Sequence, residues 1–291
     1  MLSRAMRNAR HVAAAAAAAA VITAPAFVPV HAAASMFELS EADAMSKDEV
    51  HYPREKVYTY TKEFVEKDYE DSSMLWRHAR AAYQLSQVAG TPSDAKKALL
   101  DEAMSNIKTA VQYDGNNSDA RRWYGTILQA HSGFQGYQQQ IKDAFEVKSQ
   151  WEQAVTLNPD DATAQHLLGR WCLTVADMPW YQRSLAATLF AEPPSSSYDE
   201  AREFFAAAER ISPDFWKANQ YYLAVIEDRL GNRDQAVRWA AKATSLPVAS
   251  AGDRDYQEKA LALLKSWDTA AYTKAKAADD KRKEVEAMLA E

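Results

Sequence analysis

His166 and Cys172 are the first residues to test for chemistry, since imidazole and thiolate are common metal ligands and nucleophile partners. They stand six apart in "HLLGRWC". A helix turns about 100° per residue, so that spacing puts them on different faces. The other histidines are His11, His31, His51, His78 and His131, and no two of the set fall at metal-ligand spacing. Cys172 is the single cysteine, which excludes an internal disulfide framework; beside Gly169 it reads as a buried, inert thiol. The chain carries no Gly-rich phosphate loop and no serine in a Gly-flanked elbow. Acid pairs such as Asp160–Asp161 precede helical patterns, where they cap the helix and favour its dipole. No catalytic set, metal site or cofactor site emerges, and a non-enzymatic protein is expected.

The elements that would position these residues are helices. Glycine is scarce, 8 in 291 residues, while Ala, Leu, Glu, Lys and Gln abound. A hydrophobic share of 47% is ample for one or two domains with a real core. The net charge of −6 argues against general nucleic-acid binding. A small residue followed five positions later by a helix stop recurs along the body. Ala110 precedes Gly115 in "NIKTAVQYDGNN", Ala154 precedes Pro159 in "WEQAVTLNPDD", and Ala208 precedes Pro213 in "FFAAAERISPDF". In "RWAAKATSLPV" Ala243 stands four before Pro247. The small residue lets two helices approach, and the Pro or Gly ends the helix. This is the mark of a tetratricopeptide-like repeat of helices A and B. The expected fold is therefore all-α, a helical-repeat solenoid with insertions between helices A and B. Spacings of 44 and 54 between successive marks imply an insertion in each, and the spacing of 35 an ordinary repeat.

The N-terminal residues differ in kind. They contain Arg4, Arg7 and Arg10, an alanine run, and no acid before Glu38. That pattern fits a mitochondrial presequence. A secretory signal with a small-residue site at 32–34, or a retained anchor built on the charge-free run 12–30, are the alternatives. The organisation expected is a targeting segment over 1–35, a linker over 36–50, the repeat domain over 51–268 and a charged C-terminal helix over 269–291.

In stacked helix pairs the fifth and ninth positions of helix A face the groove. With Gly125 and Gly169 as position eight, position five is Arg77, Arg122, His166 and Tyr221 in successive repeats, and position nine in the third is Arg170. These residues suit an anionic ligand: an acidic peptide tail, a C-terminal carboxylate or a phospholipid headgroup. The alternative is that they are solvated helix arginines paired with nearby acids. The long insertion carries Trp180, Tyr181, Leu185, Leu189 and Phe190 at helical spacing. This stripe is expected to bury its rings against the repeats, with Pro179 ending helix A near Asp177 and Arg183 facing the same groove as Arg170. A lid over an apolar ligand, or a membrane-surface contact, is the alternative. Ser197, three before Glu200, is expected to cap the next helix. Within that helix "EFFAAAE" has the look of a two-phenylalanine docking tract for endoplasmic-reticulum receptors, but Ala206 stands where an acid is needed, and a core helix is the expectation.

Several stretches together, "MLWRHARA" (74–81), "KSQWEQAVTLNPDDATAQHLLGRWC" (148–172), "ADMPWYQRSLAATLFAEPPSSSYDEA" (176–201) and "AERISPDFW", resemble the regulator of microtubule dynamics family. The likeness runs from about 55 to 270. It implies a tetratricopeptide-like fold, association with microtubules and spindle poles, and mitochondrial forms. One branch of that family tethers mitochondria to the endoplasmic reticulum and binds phospholipid; this sequence is more similar to the shorter, mitochondrial-type branch. The partners implied are microtubules or tubulin, or an acidic protein segment, with a phospholipid membrane as the alternative and no nucleic acid.

Overall fold

Polar side chains that satisfy the first backbone N–H groups mark where helices begin. In the computed structural model, which describes residues 33–48, 51–67, 71–189 and 193–290, Ser35, Asp71, Asn117, Asp161, Ser197 and Ser250 each accept from an N–H in the first turn. The described residues form thirteen α-helices and no strand. They are α1 (Met36–Lys47), α2 (Arg54–Val65), α3 (Ser72–Ser86), α4 (Ser93–Tyr113), α5 (Ser118–Gln135), α6 (Tyr137–Leu157) and α7 (Ala162–Ala176). Then follow α8 (Trp180–Leu189), α9 (Tyr198–Ile211), α10 (Lys217–Arg229), α11 (Arg233–Ser245), α12 (Ala251–Trp267) and α13 (Thr269–Ala290). Helices A and B pair as α3 with α4, α5 with α6, α7 with α9, α10 with α11, and α12 with α13, and each pair packs on the next.

The repeat marks act as expected. Ala110, Ala154, Ala208 and Ala243 are all fully buried. The last turns of α4, α6 and α9 close on the carbonyls of Ala110, Ala154 and Ala208. At the fourth mark Pro247 stands where the i+4 donor to Ala243 would be, and proline has no N–H. Lys217, reaching over from α10, donates to that carbonyl at 2.6 Å instead, and also to Leu246 O (2.9 Å) and Gln257 Oε1 (2.7 Å). A β-carbon at Gly125 would lie 2.5 Å from the Trp151 indole, and one at Gly169 would lie 2.9 Å from the Phe205 ring. Glycine is thus what lets α5 meet α6 and α7 meet α9.

Three boundaries differ from the expectation. The spacing of 44 contains no inserted element: α5 and α6 are simply long, 18 and 21 residues, and meet at Gly136, whose φ is +105°. Only the spacing of 54 holds an insertion, α8. Residues 36–47 are not linker but α1. Its start is fixed by a reciprocal cap, in which Ser35 N–H donates to the Glu38 carboxylate (2.7 Å) and Glu38 N–H to Ser35 Oγ (3.3 Å). Ala42 and Met45 are buried where α1 meets α2 and α3. At the other end α13 packs on α11 and α12, with Asp279 fully buried and accepting from Gln257 Nε2 at 3.1 Å. The described residues from 33 onward therefore form one unit that takes in both α1 and α13. The expected targeting segment, up to residue 32, and Phe190 lie outside the described residues.

A candidate ligand groove

Arg77 does not wait for a ligand. Its guanidinium grips Asp43 of α1 with Nε at 3.1 Å and Nη2 at 2.6 Å, lies 4.2 Å from the centre of the Trp76 ring, and leaves the side chain 13% exposed. Arg80 pairs with the same carboxylate at 3.1 Å. Burial alone would raise the Asp43 carboxyl, but the hydrogen bonds and charge of Arg77, then Arg80, outweigh it and hold Asp43 below the ordinary range. Arg122 is likewise occupied: it pairs with Asp119 on its own helix and with Asp161, the N-cap of α7, at 2.7 Å.

His166 is fully buried between α7 and α10 rather than facing a groove. Its Nδ1 meets Asn219 Oδ1 at 2.9 Å; Asn219 spends its amide hydrogens on Phe205 O and Glu209, so the imidazole Nδ1–H is the donor. The rings of Trp216, Phe205 and Tyr222 surround it at 4.4, 5.2 and 5.7 Å. Burial, aided by the Arg170 charge, pushes its pKa down to about 3. Cys172 is also buried, and burial pushes its thiol up to about 11, as fits an inert core thiol. Among the described residues no group of three His, Cys, Asp or Glu stands close enough to hold a metal ion.

Arg170 is different. It is exposed, its guanidinium lies 5.3 Å from the centre of the Tyr222 ring, and no carboxylate pairs with it among the described residues. The Tyr222 hydroxyl meets that of Tyr256 at 3.2 Å, and Tyr221 packs on both rings at 5.2 and 5.4 Å. Tyr83 packs on Trp123 at 5.9 Å. Burial raises the Tyr83 phenol against the opposing charge of Arg170. Arg170 also lines a cleft of about 350 Å³, walled by Ile141 and Val147 of α6 and Trp171 and Val175 of α7, with Gln129, Gln140 and Gln182 at its edge. Of the counted residues Arg170 lines the cleft, Tyr221 packs on Tyr222 and Tyr256, Arg77 and Arg122 are held by carboxylates, and His166 is buried.

Tyr83, Trp123, Tyr222 and Tyr256, the aromatic side chains grouped near Arg170 but outside the cleft lining, are not legible by position counting. Trp123 and Tyr222 sit one residue after the counted Arg122 and Tyr221, and a one-residue phase shift rotates a side chain by about 100°. The usable signal was aromatic enrichment: tyrosine or tryptophan beside every counted arginine or tyrosine.

The insertion also departs from expectation. Helix α7 ends at Ala176 with Asp177 as its cap, and the Ser197 hydroxyl caps α9, both as anticipated. But Trp180 and Tyr181 are not buried wedges; they are 79% and 57% exposed, in edge-to-face contact at 6.1 Å. Ala186 is the buried residue of α8. Arg183 turns back to the end of α7, donating to Met178 O and Ala176 O at 2.9 Å each. It satisfies carbonyls that the helix leaves open and does not join Arg170. In "EFFAAAE", Phe205 and Ala208 are fully buried, as a core helix requires.

Paired helices in a stacked series, a small residue at each crossing, and a side-chain-lined face define a tetratricopeptide-like helical-repeat protein. A solved tetratricopeptide protein of Thermus thermophilus shares the architecture with a TM-score of 0.54, covering 77% of this chain and 99% of that one at 15% identity, a likeness of fold alone. The model of the family described as regulator of microtubule dynamics protein 1-3 matches residues 38–268, and the chain belongs to that family. Regulator of microtubule dynamics protein 1 of Bos taurus is 37% identical over 243 residues, 82% of this chain and 75% of that protein. The Mus musculus protein of the same name is 37% identical over 236 residues, 81% and 76% of the two chains. Regulator of microtubule dynamics protein 3 of Xenopus laevis is 31% identical over 186 residues, 64% of this chain and 40% of that one.

Proposed function

We propose that this protein is a non-enzymatic adaptor that acts on microtubule dynamics by holding a protein partner on the face formed by its A helices. The observation that carries the reading is the extent of the family match. Residues 38–268 run from α1 to the cap of α12, so the family is defined by the repeat body itself and not by an appended module. Stacked helix pairs offer an extended face suited to a partner segment, and the described side chains assemble no catalytic constellation. The test is co-sedimentation of the purified full chain with polymerised tubulin, alone and with cell extract added back. Pelleting with microtubules in either setting supports the adaptor; absence from the pellet in both removes it.

A second reading has one observation of its own. Trp180 and Tyr181 stand exposed on a short helix, where rings with an apolar body and a polar edge suit a membrane interface. In this reading α8 touches phospholipid while the N-terminal segment directs the chain to mitochondria. No helix among the described residues is long and apolar enough to cross a membrane. Flotation with phospholipid vesicles, lost on Trp180→Ala with Tyr181→Ala, supports it; flotation unchanged by those substitutions rejects this use of α8.

A further inference from the structure

Several hydrogen-bonding groups around Arg170 lack partners. Trp123 Nε1 is buried without an acceptor. The Tyr83 hydroxyl, beside it, makes no hydrogen bond among the described residues, and neither do the side-chain amides of Gln129, Gln140 and Gln182 at the edge of the cleft. Trp123 Nε1 is the buried one of these groups, and a buried donor left unmade costs about 1–3 kcal/mol; Gln129 and Gln140 are exposed and free to meet a ligand. Such a set, next to an unpaired guanidinium and an apolar cleft, describes the complement of a ligand.

We propose that this site binds a short protein segment carrying one carboxylate next to an apolar side chain. The carboxylate sits on Arg170, with Tyr83 and Trp123 as further donors; the apolar side chain enters the cleft between α6 and α7. The inference rests on the adaptor reading and specifies its ligand. Three features select this chemistry. First, Asp43 holds Arg77 and Arg80, and Asp119 and Asp161 hold Arg122, so among the described residues Arg170 is the arginine of this set with no carboxylate, and its charge balances one carboxylate. A phosphate, at about −1.5 to −2, would be left with excess charge. Second, the chain is acidic overall, at −6, and repels a polyacidic tract at long range, leaving short-range contact to recognise a single acid. Third, each glutamine amide presents a donor and an acceptor together, which matches a peptide backbone and not a hydrocarbon chain. At about 350 Å³ the cleft is at the small end of ligand sites, room for a side chain.

The test uses the full chain and fluorescein-labelled octapeptide pools with Glu beside Leu or Phe among Ser and Gly. Matched pools carry Gln for Glu, and each is made with a free or an amidated C-terminus, so that side-chain and terminal carboxylates are read separately. A phosphoserine pool and anionic phospholipid vesicles complete the set. Expected is binding by one or both carboxylate sources, at least tenfold weaker for the amidated Gln pool. Arg170→Gln should weaken it at least tenfold with an unchanged melting temperature, and Tyr83→Phe several-fold. Equal binding of the amidated Gln pool overturns the proposal, as does indifference to Arg170→Gln. So does failure of every carboxylate pool, whether or not phosphoserine or vesicles bind in their place. Affinity that climbs steadily with added acids, as for a polyacidic tract, also overturns it. Microtubule co-sedimentation of Arg170→Gln separates this from the broader reading. If wild type and variant both pellet, only the carboxylate site fails; if wild type does not pellet, the adaptor fails.

Discussion

Two arginines that look alike in the sequence are set apart by their partners. Arg122 bridges the first turn of α5 to the N-cap of α7, so Arg122→Glu places a third acid beside Asp119 and Asp161 and should destabilise the protein by about 3 kcal/mol or more. Arg170→Glu removes no ion pair and should leave the melting temperature within a degree or two; thermal denaturation of the two variants side by side checks the contrast. His166 makes a prediction about pH. Its folded pKa is depressed to about 3 from an ordinary 6.5, so between those values the unfolded chain takes up a proton that the native chain refuses. Stability is therefore full above about 6.5 and falls as the pH drops toward 3, by up to about 1.4 kcal/mol per unit. Unfolding free energies from denaturant titration at pH 6.5 and 5.0 should differ by up to about 2 kcal/mol for wild type. The difference should shrink in His166→Gln, whatever that variant's starting stability. An equal difference in both would place the titration elsewhere.

At the scale of elements the insertion is the informative case. Truncating a buried tryptophan costs about 3–5 kcal/mol, but Trp180 is mostly in water, so Trp180→Ala should change stability by less than about 0.5 kcal/mol. A drop of several degrees in melting temperature would mean that α8 closes onto the repeats in solution. What the sequence revealed of the elements follows from how local each cause is. The marks at Ala110, Ala154, Ala208 and Ala243 were readable because close approach needs a small side chain and a helix stop needs Pro or Gly. The burial of Trp180 was misjudged because helical spacing of apolar residues states that a stripe exists, not that a partner surface covers it. The helix at 36–47 was obscured by weak amphipathicity, although Ser35 and Glu38 carry the start signal. At the candidate site the position of Arg170 follows from counting one residue past Gly169. The neutralising acids could not be counted, since Asp43 meets Arg77 from 34 residues away and Asp161 meets Arg122 from another pair.

Over the whole molecule, the segment before residue 33 is expected to contribute address and not stability, because the described core begins with Ala34, packed with Phe64 and Met74, and the cap of α1. Deleting residues 1–32, which spares the buried Ala34, should move a tagged chain from mitochondria to the cytosol while leaving the circular-dichroism melting curve of the purified protein unchanged. Substituting Arg4, Arg7 and Arg10 together with Glu should relocate it equally. Retention at mitochondria after the deletion would put the address in the repeats.

The stacking of pairs also has a mechanical consequence. Each helix pair rests mainly on its neighbours, so tension applied between the two ends of the repeat series meets one interface at a time. Resistance should be graded by the ties that cross each interface. Lys217 pins α11 and α12 through its hydrogen bonds to Ala243, Leu246 and Gln257, whereas α13, with no helix beyond it among the described residues, is held by Asp279 on Gln257, Arg282 on Thr244 O and Glu286 on Arg254. Pulled in an optical trap, the chain should yield in a staircase, with α13 peeling first and the pair pinned by Lys217 giving way later. A released pair of about 35 residues would add about 120 Å of contour at 3.3–3.6 Å per residue, and Lys217→Met should lower the force of the step that follows α13. A single all-or-none rupture would show instead that the repeats share load as one block.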